Sequence, residues 1–261
     1  LEWKKEACNF LNERSVCELY QQLISLLSNR RAMKGDKDSY TPESIGRLLS
    51  ALLKIKEGDE VYDPLCGNGS LLIQCAKRRV NEKRLRHISY FGEDHDPKNC
   101  NRAKIGLWFC NAENISVIEC TDALNETKEG SEYRKIRQFD VAVAGLLGLT
   151  EKLDSERYQH LRYDLPYGEP SKSKRYYVII QQMFMALAPG KGRMAVIVPH
   201  GVLFWGGAEG KIRGNMIKDG CVDAVIGLPK KLYYRNKVPA VVLVMSRQKE
   251  MDEILFIDAS R

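Results

Sequence analysis

Apolar residues recur along this 261-residue chain in two rhythms. Helical spacing marks the opening stretch to about residue 29, through Phe10, Leu11, Val16, Leu19, Leu23, Leu26 and Leu27. It returns over residues 44–53 through Ile45, Leu48, Leu49, Leu52 and Leu53, with Pro42 and Glu43 suited to the first turn of that helix. Between the two, residues 34–39 are polar and read as a loop. The second rhythm is the short unbroken apolar run: VYD at 61–63, HISYFG at 87–92, ISVIEC at 115–120, FDVAVAG at 139–145, RMAVIVP at 193–199, VDAVIGL at 222–228 and AVVLVMS at 240–246. Strands buried on both faces have this character, and helical stretches at LLIQCAKRR and at about 98–110 lie between them. The prediction is an α/β fold with a mostly parallel sheet and helices on both faces. A helical lead-in and loop occupy 1–39, and one large domain fills 40–261. Residues 146–175 are the least periodic; a stretch this long is either a functional loop or a solvated excursion.

Composition narrows the setting. Hydrophobic residues make up 44% and charged residues 29%, as expected of a chain that buries a proper core. No apolar run approaches the ~20 residues of a membrane helix. The first residues, LEWKKEACNF, lack the apolar core of a secretory signal, so the expectation is a cytoplasmic protein without a membrane partner. A start at Leu1 rather than Met is what a fragment of a longer protein would show. The eight cysteines form no CxxC pair and no metal-ligand spacing with the four histidines, which predicts reduced, mostly buried thiols and no metal. The net charge of +7 is compatible with a polyanion.

The chemistry begins at VYDPLCGNGS, residues 61–70. Val61 and Tyr62 suit a strand, Asp63 ends it, and Pro64 denies it a further ladder donor. Gly67 and Gly69 permit backbone conformations closed to other residues, and Ser70 opens the helix that follows. A turn of this kind lets backbone approach a ligand, and it puts Asp63 at the carboxyl end of a strand, where open parallel sheets bind their ligands. The P-loop Lys-Ser/Thr is absent. Some 25 to 30 residues on comes an acidic cluster, Glu93, Asp94 and Asp96, near where nucleotide-binding α/β folds place a ribose-binding carboxylate. Asp94 is the first candidate and Glu93 its rival; the alternative is that all three cap the next helix. Asp122 follows a strand and is suited either to an adenine amine or to a helix cap.

With these pieces in place, the chain resembles the DNA adenine methyltransferases, in particular the modification subunits of type I restriction-modification systems. The resemblance is carried by Tyr40-Thr41-Pro42, DPLCGNGSLL, FGEDHD with NRAKIGL, PHGVLFWGGAEGKIR, DAVIGLPKKLYY and VPAVVLVMSR. It implies a class I, Rossmann-like fold that binds S-adenosylmethionine. Tyr40, Thr41, Asp63, Cys66, Gly67, Gly69 and Ser70 would line the cofactor pocket, Asp94 would bind ribose, and Asp122 would contact adenine. Ser70 stands where many relatives have glycine.

The same resemblance predicts Asn-Pro-Pro-Phe or Asn-Pro-Pro-Tyr after the FDVAVA strand, and this chain has Gly145, Leu146, Leu147 and Gly148 there. An exocyclic adenine amine is a poor nucleophile. The motif's Asn side chain and Pro carbonyl accept its hydrogens, while the aromatic ring stacks on the flipped base. Gly145 has no side-chain acceptor and Gly148 no ring. Each lost acceptor of this kind costs about a hundredfold or more in rate, so adenine N6 methylation is inherited by resemblance with its turnover in doubt. Asp164, Pro166 and Tyr167, in Asp-Leu-Pro-Tyr, fit the family's later Tyr-Gly segment better than a displaced catalytic loop. Basic residues at 172–175 and 230–237 are candidate DNA contacts. Resemblance further implies specificity and restriction subunits as partners, with an oligomer open. The rivals are a catalytically silent scaffold that binds S-adenosylmethionine or meets DNA or partner subunits, and a methyltransferase of another substrate.

Overall fold

The computed structural model describes residues 13–33, 41–81, 87–112, 116–124, 137–147, 161–171, 175–230, 238–248 and 253–260. They fall into two compact units divided between Thr121 and Asp122.

In the first unit, strands β1 (Glu60–Asp63), β2 (Ser89–Asp94) and β3 (Ser116–Cys120) lie in the order β3-β2-β1, all parallel. The register pairs Asp63 with Gly92 and Asp94 with Cys120, so β2 carries Glu93 and Asp94 just past the carboxyl end of β1. Helices α1 (Glu13–Met33), α2 (Glu43–Leu52), α3 (Ser70–Asn81) and α4 (Pro97–Phe109) complete the unit, with α3 packed on both α2 and α4, and α1 on α4. The sequence explains their ends. Pro42 precedes α2 and its carbonyl accepts from the N–H groups of Ile45 and Gly46. The Asp96 carboxylate caps α4 by accepting from the Lys98 N–H at 2.9 Å, with Pro97 at the first helical position, where its missing donor costs nothing.

Close packing in this unit depends on glycine. A Cβ at Gly106 would meet the Ile73 and Tyr20 side chains at 2.3 and 2.8 Å, so its absence lets α1, α3 and α4 come together there. Tyr20 uses that approach to donate its hydroxyl to the Arg102 carbonyl at 2.6 Å, and burial pushes its pKa up to about 12. The expectation of uniformly reduced thiols fails at one pair: Cys17 of α1 and Cys110, at the end of α4, are joined in a disulfide with their Cα atoms 5.5 Å apart. Cys66, Cys75, Cys100, Cys120 and Cys221 are not disulfide-bonded.

The second unit carries β4 (Val141–Gly145), β5 (Arg193–Pro199), β6 (Val222–Gly227), β7 (Ala240–Ser246) and β8 (Leu255–Asp258) in the order β4-β5-β7-β6-β8. Pairing is parallel except for β7, which runs antiparallel to both its neighbours. The core strands β4, β5 and β7 are buried nearly throughout, as their unbroken apolar runs require. Helix α5 (Arg175–Met185) packs on β5, and α6 (Ala208–Lys218) follows a 3-10 turn at His200–Leu203. Strand β8, which is not among the predicted strands, is exposed along its whole length although Leu255, Phe256 and Ile257 are apolar. No described helix is long and apolar enough to cross a membrane.

Candidate cofactor site and acceptor segment

Three acids converge where β1 and β2 end. Asp63, Glu93 and Asp94 are all buried, and each is tied to the glycine turn or its strand. The Leu65 N–H donates to Asp63 Oδ1 at 3.1 Å, turning the chain out of β1. The Cys66 N–H donates to the Glu93 carbonyl at 2.8 Å and the Gly67 N–H to Asp94 Oδ2 at 3.1 Å, so the turn is bonded to the end of β2. Tyr62 donates its hydroxyl to Glu93 Oε1 at 2.8 Å. Asp94 Oδ1 accepts from the Asp96 N–H at 2.8 Å, and the Asn99 amide lies at 3.4 Å. Glu93 thus faces Tyr62, while Asp94 joins the turn to the start of α4.

Gly67 and Gly69 have φ of +54° and +80°, in the region that other residues rarely adopt. At Gly69 space is decisive as well, since a Cβ would lie 2.8 Å from that of Ala103. Ser70 then begins α3, its N–H held by Asn68 Oδ1 at 3.2 Å. Burial raises the Asp63 carboxyl from 3.8 to about 8, with Asp94 adding to the rise against the Leu65 N–H. Burial likewise pushes the Cys66 thiol well up, reinforced by Asp63 and Asp94. Cys66 is therefore a neutral packing residue of the turn. Thr41 is buried beside the start of α2. Tyr40 lies outside the described residues.

Asp122 opens the second unit, half-buried, with its Oδ1 accepting from the Leu124 N–H at 3.1 Å in a local turn. The structure thus brings Asp63, Cys66, Gly67, Gly69, Ser70 and Asp94 together in the first unit, while Asp122, two residues after β3, is the first residue of the second.

In the second unit the segment after β4 continues the sheet. Gly145 ends β4 opposite Ile197, and the Leu146 N–H donates to the Ile197 carbonyl at 2.9 Å. Both Leu146 and Leu147 are buried; Gly148 lies outside the described residues. Residues 161–171 form an irregular strap fixed by side chains that the apolar rhythm does not reveal. Gln182 Oε1 accepts from the Tyr163 N–H at 3.0 Å, and its amide donates to the Tyr163 carbonyl. Gln181 Oε1 accepts from the Tyr167 N–H at 3.0 Å, and its amide donates to the Gly168 carbonyl at 3.0 Å. Buried Glu209 accepts from both the N–H and the hydroxyl of Ser171. The Tyr167 hydroxyl lies 3.1 Å from Cys221 Sγ, and its ring packs edge-on against Phe184. That ring is engaged in packing, which argues against Asp-Leu-Pro-Tyr as a displaced acceptor loop.

The profile of the N-6 DNA Methylase family matches residues 12–261. The chain belongs to that family. Among curated relatives it is similar to the MjaVII type I restriction enzyme methylase subunit of Methanocaldococcus jannaschii, 28% identical over 94% of this chain and 43% of the relative. A solved type I restriction-modification methyltransferase subunit from Streptococcus thermophilus matches with a TM-score of 0.74 and 26% identity, over 85% of this chain and 48% of that one. A Listeria monocytogenes protein assigned to the class I S-adenosylmethionine-dependent methyltransferases matches with a TM-score of 0.74 at 20% identity, over 94% of this chain and 74% of that one. The fold is accordingly the class I, Rossmann-like one. The chain spans about half the length of the curated relatives it matches.

Within this N-6 DNA Methylase chain, sequence reasoning overlooked the two buried glutamines and Glu209. Polar residues inside a helical run carry no periodic signal of burial, and only the partners on the strap reveal why they are there. Among the described residues no group of His, Cys, Asp and Glu is arranged to hold a metal ion.

Proposed function

We propose that this chain is the S-adenosylmethionine-binding domain of a type I modification-type DNA methyltransferase, with an acceptor segment poorly suited to transferring the methyl group to adenine N6. The cofactor half of the reading is supported by the strand-end acids and the turn. Asp63 and Asp94 offer carboxylate oxygens at the carboxyl ends of parallel strands, the position where such sheets take their ligands. Bound S-adenosylmethionine would bring an electrophilic methyl group on a sulfonium centre. Asp94, anchored by the Gly67 and Asp96 N–H groups, has acceptor capacity left for ribose hydroxyls. Asp63, fully buried, would answer the ligand's positive charge by ionising. Tyr40, Thr41, Cys66, Gly69 and Ser70 would complete the pocket, with Asp122 as the adenine contact.

The observation that carries the acceptor half is the fate of Leu146. A proline there would leave the Ile197 carbonyl without this donor and would hold its own carbonyl in a more fixed backbone geometry than leucine does. Leucine instead uses its N–H to extend the β4–β5 ladder and buries its side chain in the core. The segment is built as sheet and core, and Gly145 adds no side-chain acceptor. A rate loss of about a hundredfold or more for each missing acceptor follows. DNA, with specificity and restriction subunits, is the proposed set of partners.

Two measurements test the reading. Calorimetric titration with S-adenosylmethionine is expected to give saturable heat, and none at millimolar ligand would end the cofactor proposal. Methyl incorporation into mixed genomic DNA is expected to be near background, and to rise in a Gly145→Asn, Leu146→Pro, Leu147→Pro, Gly148→Phe variant. Robust incorporation by the unaltered chain would overturn the acceptor proposal.

A further inference from the structure

Beyond its cap, α4 sends two further polar side chains toward the end of β2. Asn99 occupies the third helical position and Arg102 follows three residues on, a spacing that brings the two side chains together on one face of the helix. Arg102 Nη1 donates to Asn99 Oδ1 at 3.1 Å, and Asn99 Nδ2 lies 3.4 Å from Asp94 Oδ1. Asn99 is buried, so both contacts are made away from bulk water. Their chemistry leaves the amide one orientation: a guanidinium can only donate, so Oδ1 must face Arg102, and the donor half of the amide is left for Asp94. An apolar side chain could make neither contact, and a carboxylate would have no N–H to offer. The lead-in helix braces the pair from behind, since Tyr20 of α1 donates its hydroxyl to the Arg102 carbonyl at 2.6 Å.

The contacts of Asp94 divide unevenly between its two oxygens. Oδ1 accepts from the Asp96 N–H at 2.8 Å and faces Asn99 Nδ2, with the exposed His95 ring 4.0 Å away. Oδ2 has one donor among the described residues, the Gly67 N–H at 3.1 Å. A carboxylate oxygen has two lone pairs, so Oδ1 is filled while Oδ2 keeps one acceptor position beside the glycine turn. The backbone of Asp94 is secured separately, by its pairing with Cys120 and by the Cys100 thiol 3.2 Å from its carbonyl. What Asn99 adds is therefore the rotation of the carboxylate: with two donors on Oδ1, Oδ2 is the oxygen left to a ligand.

We infer that Asn99, oriented by Arg102, is a positioning residue that holds the Asp94 carboxylate with Oδ2 ready to accept from the ribose hydroxyls of S-adenosylmethionine. The inference rests on the proposed cofactor reading and deepens it. It assigns the accepting oxygen, and it names two residues that act on ribose recognition through Asp94.

The test is calorimetric titration of the whole chain with S-adenosylmethionine and with its counterpart lacking both ribose hydroxyls. Asn99→Leu is expected to weaken S-adenosylmethionine about tenfold, the low end for a hydrogen bond to a charged group because the contact is long. Affinity for the counterpart should stay unchanged, so the preference for ribose hydroxyls shrinks by the same factor. Arg102→Met is expected to shrink that preference less, and Arg102→Lys, which keeps a cationic donor, to retain most of it. Equal weakening of both ligands in Asn99→Leu would mean that the residue only supports the fold, and an unchanged preference would mean that Asp94 is held without it; either result overturns the inference. Arg102 is only half-buried, so its variants decide the matter if Asn99→Leu does not fold, and a preference unchanged in Arg102→Met then overturns the inference. An unaltered chain that binds both ligands equally also overturns it and leaves the cofactor reading standing, whereas no heat with either ligand ends both.

Discussion

Asp63 ties the fold to ligand chemistry most directly. Its carboxyl is fully buried beside Asp94 and Cys66, with Glu93 close by, and burial lifts it from 3.8 to about 8. Folded, the chain therefore keeps a proton on Asp63 at neutral pH that the unfolded chain gives up above about pH 4. Stability falls as the pH rises from about 4 to 8, by at most about 1.4 kcal/mol per pH unit for one proton. Above about 8 both states are ionised and the slope ends. Asp63→Asn removes the titration, so denaturant midpoints measured without cofactor should show the unaltered chain losing stability relative to this variant across that window. Parallel curves would show that Asp63 is already ionised in the folded chain. The importance of Asp63 was readable from its place between a strand and a glycine turn. Its protonation was not, because the burial that raises it, with Asp94 beside it, arises only when β1 and β2 pair and the turn closes over their ends.

At the scale of elements, the apolar runs located β1 to β7 because a strand buried on both faces has no polar option. They could not reveal that β7 is antiparallel and inserted between β5 and β6, since direction and order leave no mark on periodicity. Strand β8 is the exception: Ile254 to Ile257 form a short apolar run, yet Leu255, Phe256 and Ile257 are exposed, and four apolar residues alone do not separate a strand from other structure. The strap at 161–171 escaped because it is ordered by buried polar groups rather than by apolar ones. Gln182 satisfies both the N–H and the carbonyl of Tyr163, and Gln181 does similar work around Tyr167 and Gly168. Gln182→Leu keeps the volume and strands two buried backbone groups, at about 1–3 kcal/mol each. Equilibrium denaturation should register that loss in full, and a change below about 0.5 kcal/mol, the ordinary range of a surface substitution, would mean that the strap is held by other contacts.

For the whole molecule, the proposed cofactor and acceptor tasks fall to different units. The turn and its acids belong to the first unit, and the acceptor segment to the second. Changing the acceptor segment should therefore alter transfer and leave the cofactor's hold untouched. S-adenosylmethionine at a hundred times its Kd should stabilise the folded chain by about 2.7 kcal/mol. For a chain of this length that is a rise in midpoint temperature of roughly 5–10 °C. The same rise is expected in the variant that restores Asn-Pro-Pro-Phe at 145–148. Its midpoint without ligand should be lower, because proline at 146 removes the donor to the Ile197 carbonyl and takes a leucine out of the core. A thermal series with and without cofactor measures both effects at once. If the restored variant loses the ligand-induced rise, the acceptor segment participates in holding the cofactor, and the separation of tasks fails. If it keeps the rise and gains methyl transfer, the chain has retained the cofactor machinery of its family and given the acceptor positions over to its sheet.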